Sequence, residues 1–246
     1  MVRFLGLCLL LLSCASAAKS YDVIVGWNKP PYVIADGHTG FELELVRSIF
    51  AELGHTIVPI YVPFGRTPRL FNEDSNVIAL TMNHFHDIAP ESLTMPYVVY
   101  QNTAVSLADK SLKINSFADL TAHSVAAFQT ASLVLGEDYA NAVNRNPHYL
   151  ELADQGRQVS LLLLGSVDVL IIDTNIFYYL RSQVPASLQL DVDIHTLFKP
   201  TSYSAAIKDD TLRQGFNRVL SQMMADGRYQ ALLDRFHLIN LWPSSP

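Results

Sequence analysis

The stretch from Tyr21 to Gly54 constrains the fold most, because it reads as a strand, a turn and a helix in direct succession. A β-branched run at residues 23–25 is typical of a buried strand, and the prolines at 30 and 31 interrupt it because neither can donate a backbone N–H. Thr39 and Glu42 match a capping box, which predicts a helix that ends at Gly54. The turn in between carries Tyr32 at the carboxyl end of the strand, where open α/β sheets bind ligands.

The rest of the chain repeats this alternation. Apolar runs at residues 76–82, 124–128 and 167–172 predict buried strands, and a helical pattern follows the second and the third of them. The fold class is therefore predicted to be α/β with mainly parallel sheets. Two long extended segments, Tyr97–Leu107 and Ile194–Ala206, suit strands that cross between two lobes. Lobe 1 would then hold residues 21–100 plus 202–236, lobe 2 residues 101–201, and residues 237–246 a fraying C-terminal tail.

Residues 1–18 have the pattern of a signal peptide. Arg3 precedes an apolar run at 4–12, and the small residues at 15–17 form a cleavage site. The alternative is a lipoprotein signal in which Cys14 accepts the lipid. Both cysteines of the chain, Cys8 and Cys14, lie in this segment, so no disulfide is expected in the mature protein. The sequence thus predicts an exported protein, and the periplasmic location follows from the family resemblance given below.

Charge and motifs exclude several classes of function. The net charge is −6 and no basic run is present, which argues against nucleic-acid binding. The sequence contains no nucleophile elbow, Walker A loop or dinucleotide fingerprint, so we predict no catalytic residue, no cofactor and no enzymatic activity. His84, His86 and Asp87 are possible metal ligands, but two histidines in a loop are more often solvated, and we predict no metal site.

Six short motifs, taken in order and spacing, resemble the type II periplasmic solute-binding proteins, specifically family 3, the polar amino-acid receptors of ABC transporters. The motifs span nearly the whole mature chain and lie at residues 29–32, 39–42, 95–97, 116–120, 165–169 and 225–229. The resemblance implies two lobes joined by two hinge strands that close on a small ligand. It also implies a monomer that hands its solute to an ABC permease or to a membrane sensor.

The resemblance also implies where the ligand is bound. Tyr32 would stack on it, Asp173 would bind an α-ammonium group, and the amides and hydroxyls at the start of a lobe 2 helix would hold an anionic group. The full set of implied contacts is Tyr32, Thr81, Asn83, Thr130, Ser132 and Asp173.

One departure from the family pattern bears on the ligand. The receptors carry an arginine after the third strand, which clamps the ligand carboxylate, and here Asp87 takes that place. A carboxylate there would repel an amino-acid carboxylate, so a small polar ligand, such as an amine, fits better. Arg66 or Arg69 could supply the clamp from a neighbouring loop. The alternatives to a transport receptor are a periplasmic enzyme on the same scaffold, similar to cyclohexadienyl dehydratase, and a sensory relative that transports nothing.

Overall fold

The computed structural model describes residues 18–242, so the predicted signal segment lies outside the described residues except for Ala18. Its secondary structure forms two five-stranded sheets, which define lobe 1 and lobe 2. The elements of lobe 1 are β1 (Ser20–Gly26), α1 (Phe41–Glu52), β2 (Thr56–Val62), α2 (Thr67–Glu73), β3 (Ile78–Met82), β4 (Val98–Tyr100), β10 (Thr201–Ala206), α7 (Asp210–Ala225) and α8 (Arg228–Arg235). The elements of lobe 2 are β5 (Asn102–Leu107), β6 (Val125–Phe128), α3 (Ala131–Val134), α4 (Glu137–Val143), β7 (Tyr149–Leu152), α5 (Gln155–Leu163), β8 (Val169–Asp173), α6 (Thr174–Gln183) and β9 (Val192–His195).

The two sheets are built alike. Lobe 1 has the strand order β2-β1-β3-β10-β4, and lobe 2 has the order β7-β6-β8-β5-β9. In lobe 1, β1 is parallel to β2 and β3 while β10 is antiparallel to β3 and β4. In lobe 2, β6 is parallel to β7 and β8 while β5 is antiparallel to β8 and β9. The α/β class is confirmed, but the sheets are mixed rather than mainly parallel, because the strands entering and leaving each lobe pair antiparallel.

The chain crosses between the lobes twice. The first crossing is short, since only Gln101 separates β4 from β5. The second comprises residues 196–200, between β9 and β10. The side-chain amide of Gln101 donates to the carbonyl oxygen of Phe198 at 2.5 Å, which ties the two crossings together. This arrangement fits the two predicted hinge segments.

Several local predictions need correction. The helix after the proline turn begins at Phe41, but its N-cap is Gly40 and no side chain caps it. The capping box of Thr39 and Glu42 is therefore absent, and the Thr39 hydroxyl instead donates to Glu44 at 2.8 Å. The far end behaves as expected, since Gly54 follows the helix with a φ of 78°. The single helix expected after β6 is two short helices, α3 and α4, and β7 was not predicted.

The C-terminal segment is packed as far as the structure describes it. Leu238 is buried. The backbone N–H of Ile239 donates to the Asn175 side chain at 2.8 Å, and the Ile239 carbonyl accepts from the same side chain at 3.2 Å. The indole N–H of Trp242 donates to the Tyr229 hydroxyl at 2.9 Å. Residues 238–242 thus link lobe 1 to helix α6 of lobe 2, contrary to the expected fraying. No helix within residues 18–242 has both the length and the apolar character that a bilayer crossing requires.

Candidate functional site

Tyr32 lies where the two lobes meet. Its side chain is almost fully buried, and its ring stacks on Tyr100 with 4.2 Å between the centroids. Its hydroxyl accepts a hydrogen bond from Asn175 of lobe 2 at 3.0 Å. Burial, followed by the negative charge of Asp173, raises the pKa of Tyr32 well above its usual value, so the phenol stays protonated. The lobes are therefore in direct contact at the predicted ligand-stacking residue.

The turn that presents Tyr32 is held against the start of α1. The backbone N–H of Phe41 donates to Pro31 O and that of Glu42 donates to Tyr32 O, both at 3.0 Å. Gly40 makes this close approach possible, because its φ is +112° and a Cβ there would lie 2.5 Å from Tyr32 O. The first amides of the helix, which lack intrahelical partners, thereby fix the position of the aromatic ring.

A fully buried carboxylate, Glu42, lies beneath this turn. One of its oxygens accepts from the Lys29 ammonium at 2.8 Å and from the Tyr100 hydroxyl at 2.6 Å. The other accepts from the Thr81 hydroxyl at 2.7 Å and from the Tyr97 hydroxyl. Burial by itself raises the pKa of Glu42, but the charge and hydrogen bond of Lys29 and the hydrogen bonds of Tyr100 and Tyr97 together outweigh it, and the pKa is lowered. Glu42 is therefore an ionised anchor of lobe 1.

Asp173 ends β8 and caps α6, and it is the least compensated charge of the site. Its carboxylate accepts from Ile176 N at 3.0 Å and from Gln101 N at 2.9 Å, and it lies within hydrogen-bonding reach of the Tyr32 hydroxyl. Within residues 18–242 no lysine or arginine forms an ion pair with it. Burial raises the pKa of Asp173 to about 6, and the amide donors only partly oppose this rise. Asp173 is thus a buried carboxylate in contact with both crossing and cleft residues.

The predicted anion site of lobe 2 is already filled by the protein. The backbone N–H groups of Thr130 and Ser132 donate to the two carboxylate oxygens of Glu151 at 2.7 and 2.8 Å. The Tyr149 hydroxyl donates to the same carboxylate at 2.7 Å. Burial raises the pKa of Glu151, but the donors from Ser132, Tyr149 and Thr130 outweigh it, so the pKa is lowered. The expectation of free amides at Thr130 and Ser132 is therefore wrong.

The loop after β3 folds onto itself. Asn83 is buried, and its side-chain oxygen accepts from Phe85 N at 3.1 Å and pairs with the His86 ring at 2.8 Å.

Within residues 18–242 no three His, Cys, Asp or Glu side chains form a group that could hold a metal ion. Of the two arginines considered as substitutes for the missing clamp, Arg69 is exposed and pairs with Glu73 at 2.7 Å, and Arg66 is exposed.

The structure brings together only part of the predicted contact set. Tyr32 of lobe 1 lies within hydrogen-bonding reach of Asp173 of lobe 2. Thr81 does not contact either residue in the described hydrogen bonds, and its hydroxyl donates to Glu42. Thr130 and Ser132 are engaged by Glu151, and Asn83 by its own loop. Sequence reasoning missed Lys29, Tyr100 and Asn175, whose roles depend on contacts between distant segments. Glu42 was identified in the sequence, but it was interpreted as part of a helix cap.

Comparison with known proteins identifies the family. A family model described as bacterial extracellular solute-binding proteins, family 3, matches residues 22–239. The chain belongs to this family. No match was found among curated proteins.

Solved structures share the fold at low sequence identity. A mutant of the arginine-binding protein ArgBP from T. maritima has 17% identity and a TM-score of 0.68, with 89% of this chain and 95% of that chain covered. A histidine kinase sensor domain with similarity to periplasmic binding proteins has 16% identity and a TM-score of 0.68, covering 88% and 95%. The ancestral amino-acid-binding protein AncCDT-1, a precursor of cyclohexadienyl dehydratase, has 21% identity and a TM-score of 0.64, again covering 88% and 95%. At these identities the likeness establishes the fold alone.

Proposed function

We propose that this family 3 protein is a periplasmic receptor that captures a small polar, amine-bearing solute between its lobes. It would pass the solute to an ABC permease or to a membrane sensor. The ligand contacts in this proposal are Tyr32 and Asp173, with Thr81 and Asn83 on the lobe 1 side and Thr130 and Ser132 on the lobe 2 side. Because Tyr32 contacts Asn175 directly, the lobes must separate before the solute enters.

The buried carboxylate of Asp173 carries this proposal. A carboxylate with a pKa raised to about 6 is costly to keep ionised, and an ammonium group placed beside it would supply the missing countercharge. The Tyr32 hydroxyl lies within hydrogen-bonding reach of Asp173, and aromatic faces attract organic cations. A cation therefore gains both an ion pair and ring contacts in this part of the cleft.

The charges around the cleft argue against a simple carboxylate ligand. Glu151 occupies the amides at Thr130 and Ser132, and Asp87 stands where the family arginine is expected. Both residues would repel the carboxylate of an amino acid unless Glu151 first moved away. The same arrangement favours amines and polyamines over amino acids and organic acids.

The proposal is tested by thermal denaturation of the mature protein against amines, polyamines, amino acids and organic acids. A ligand at a hundred times its dissociation constant stabilises the folded state by about 2.7 kcal/mol, which gives a clear rise in midpoint. Asp173→Asn should weaken an amine ligand, whereas Asp154→Asn, at the exposed N-cap of α5, should leave its binding unchanged. If no solute in the panel shifts the midpoint, the receptor proposal fails.

Two other functions share this scaffold. A likeness to a precursor of cyclohexadienyl dehydratase keeps a periplasmic enzyme as the second candidate, although its anionic substrates would meet the carboxylates described above. Turnover of prephenate by the purified protein would favour it. A likeness to a kinase sensor domain supports a sensory relative, for which a membrane kinase partner captured with ligand present would be the evidence.

A further inference from the structure

A cavity lies on lobe 1 beside the second crossing, outside the contacts of Asp173. It has a volume of about 460 Å³ and is lined by the loop after β3, the first residues of β10 and the crossing residue Lys199. This size is within the range of small-molecule sites. Ser202 and Ser204 alternate with Tyr203 along β10, so they lie on the opposite side of the strand from the ring that contacts Tyr100.

The polar groups of this cavity are hydrogen-bond donors without a described acceptor. Ser204 is 5% exposed, and its hydroxyl makes no hydrogen bond to any other described residue. Asn83 is 6% exposed, and its side-chain oxygen is used by the loop while its NH₂ group has no described partner. Neither the Ser204 hydroxyl nor the Asn83 NH₂ group is among the fully buried, unpartnered polar atoms of residues 18–242, so both donors are open to the cavity and available to an acceptor bound there.

The charge of the lining has one sign. Lys199 is exposed, and no carboxylate within residues 18–242 pairs with it. The only other ionisable side chain in the lining is His84, and no acidic side chain is found among the lining residues. An ammonium group with hydroxyl and amide donors is the usual composition of a site for an oxyanion.

The remaining wall is apolar. Phe85 is 80% exposed, although it is a large apolar side chain, and it lines the cavity together with Leu93. An inorganic anion would leave this surface in water, whereas an organic anion would cover it. We propose that the cavity binds a small organic anion with an apolar body, of the aryl- or alkylcarboxylate class. Its carboxylate meets Lys199, Ser204 and Asn83, and its apolar part packs on Phe85.

This site shares Asn83 with the proposed amine site, so the experiment distinguishes the two through variants of Lys199, Ser204 and Asp173. Benzoate is the probe, and benzamide is its neutral counterpart of the same shape. Thermal denaturation and titration calorimetry on the mature protein should show saturable stabilisation by benzoate and none by benzamide, at constant ionic strength. Phosphate serves as the inorganic comparison, and stabilisation by phosphate alone would overturn the assignment of an organic anion.

Substitutions then locate the binding. Lys199→Gln and Ser204→Val should each weaken benzoate by about ten-fold, because each removes a donor to the charged oxygens. Lys113→Gln, which removes an exposed lysine of lobe 2, should leave the affinity unchanged. Lys199 is exposed, so its variant will fold, and equal benzoate affinity in Lys199→Gln and the parent protein would refute the site. Asp173→Asn should retain the benzoate response, and its loss there would place the anion in the cleft and refute the proposal.

Discussion

Replacement of Asp173 by asparagine should make the unliganded protein more stable, relative to the parent, as the pH rises. The folded-state pKa is about 6 against an ordinary value of 3.8, so the difference is about 2 pH units. At 1.36 kcal/mol per unit, ionised Asp173 opposes folding by about 3 kcal/mol above pH 6. The folded state binds the proton more tightly, so this penalty is absent below pH 3.8 and grows as the pH rises to about 6. The asparagine side chain does not titrate and therefore escapes this penalty.

The substitution also has a cost that does not depend on pH. The two carboxylate oxygens accept from Ile176 N and Gln101 N, and an amide can serve only one of these donors. The lost hydrogen bond costs about 1–3 kcal/mol. The net effect at pH 8 is therefore small, but the change in the effect between pH 4 and pH 8 should be about 2.5 kcal/mol, because the pH-independent cost cancels in that comparison.

Urea denaturation of both proteins, at intervals from pH 4 to pH 8, measures this change directly. The free energy of unfolding of Asp173→Asn minus that of the parent should rise with pH and level off above about 6. Asp154→Asn, which removes the carboxylate at an exposed N-cap, should give a nearly flat difference over the same range. A flat difference for Asp173→Asn as well would refute the view that Asp173 is a buried, uncompensated carboxylate.

Three further substitutions test other parts of the site. Lys29→Met should lower the free energy of unfolding in urea by about 3 kcal/mol, because it removes the countercharge of the buried Glu42. Adding Glu42→Gln should restore part of the lost stability. A loss below about 1 kcal/mol would contradict a buried ion pair. Gly40→Ala should cost about 3 kcal/mol because of its φ and the backbone oxygen 2.5 Å away, whereas Gly54→Ala, where a Cβ meets open space, should cost about 1 kcal/mol; equal losses would argue against the contact. Asn175→Ala removes one hydrogen bond to Tyr32 of lobe 1 and two to Ile239 of the C-terminal segment. Amide hydrogen exchange of residues 238–242 should therefore become faster, and unchanged exchange would show that other contacts hold the segment.

The spacing of residues along the sequence was enough to predict most strands and helices, but not the buried hydrogen-bond cluster around Glu42. The strand–turn–helix from 20 to 54 follows from residue spacing, which reports on neighbours in sequence. Glu42 fits a capping box equally well, yet its partners Tyr97 and Tyr100 are 55 and 58 residues away. Tertiary contacts of that kind override a weak local preference, and a single sequence carries no signal for them.

The same reasoning explains the errors in lobe 2. The first amides of a helix lack intrahelical partners, and for that reason the family resemblance implied an anion at Thr130 and Ser132. In the structure the carboxylate of Glu151 accepts hydrogen bonds from these amides. Glu151 belongs to β7, a half-buried strand of only four residues, and so short a strand gives no clear sequence pattern. The ligand contacts inferred from the family resemblance remain predictions, and the variants above test them.

The packing of the C-terminal segment gives this protein a built-in optical reporter. The chain has two tryptophans, and Trp27 is 63% exposed beside Tyr61, so its emission should be that of a solvated indole. Trp242 is partly buried, and it belongs to the segment that Asn175 holds against lobe 2. In a Trp27→Phe protein the remaining fluorescence would come from Trp242 alone. Separation of the lobes that frees this segment would then shift the emission to the red, without any attached dye.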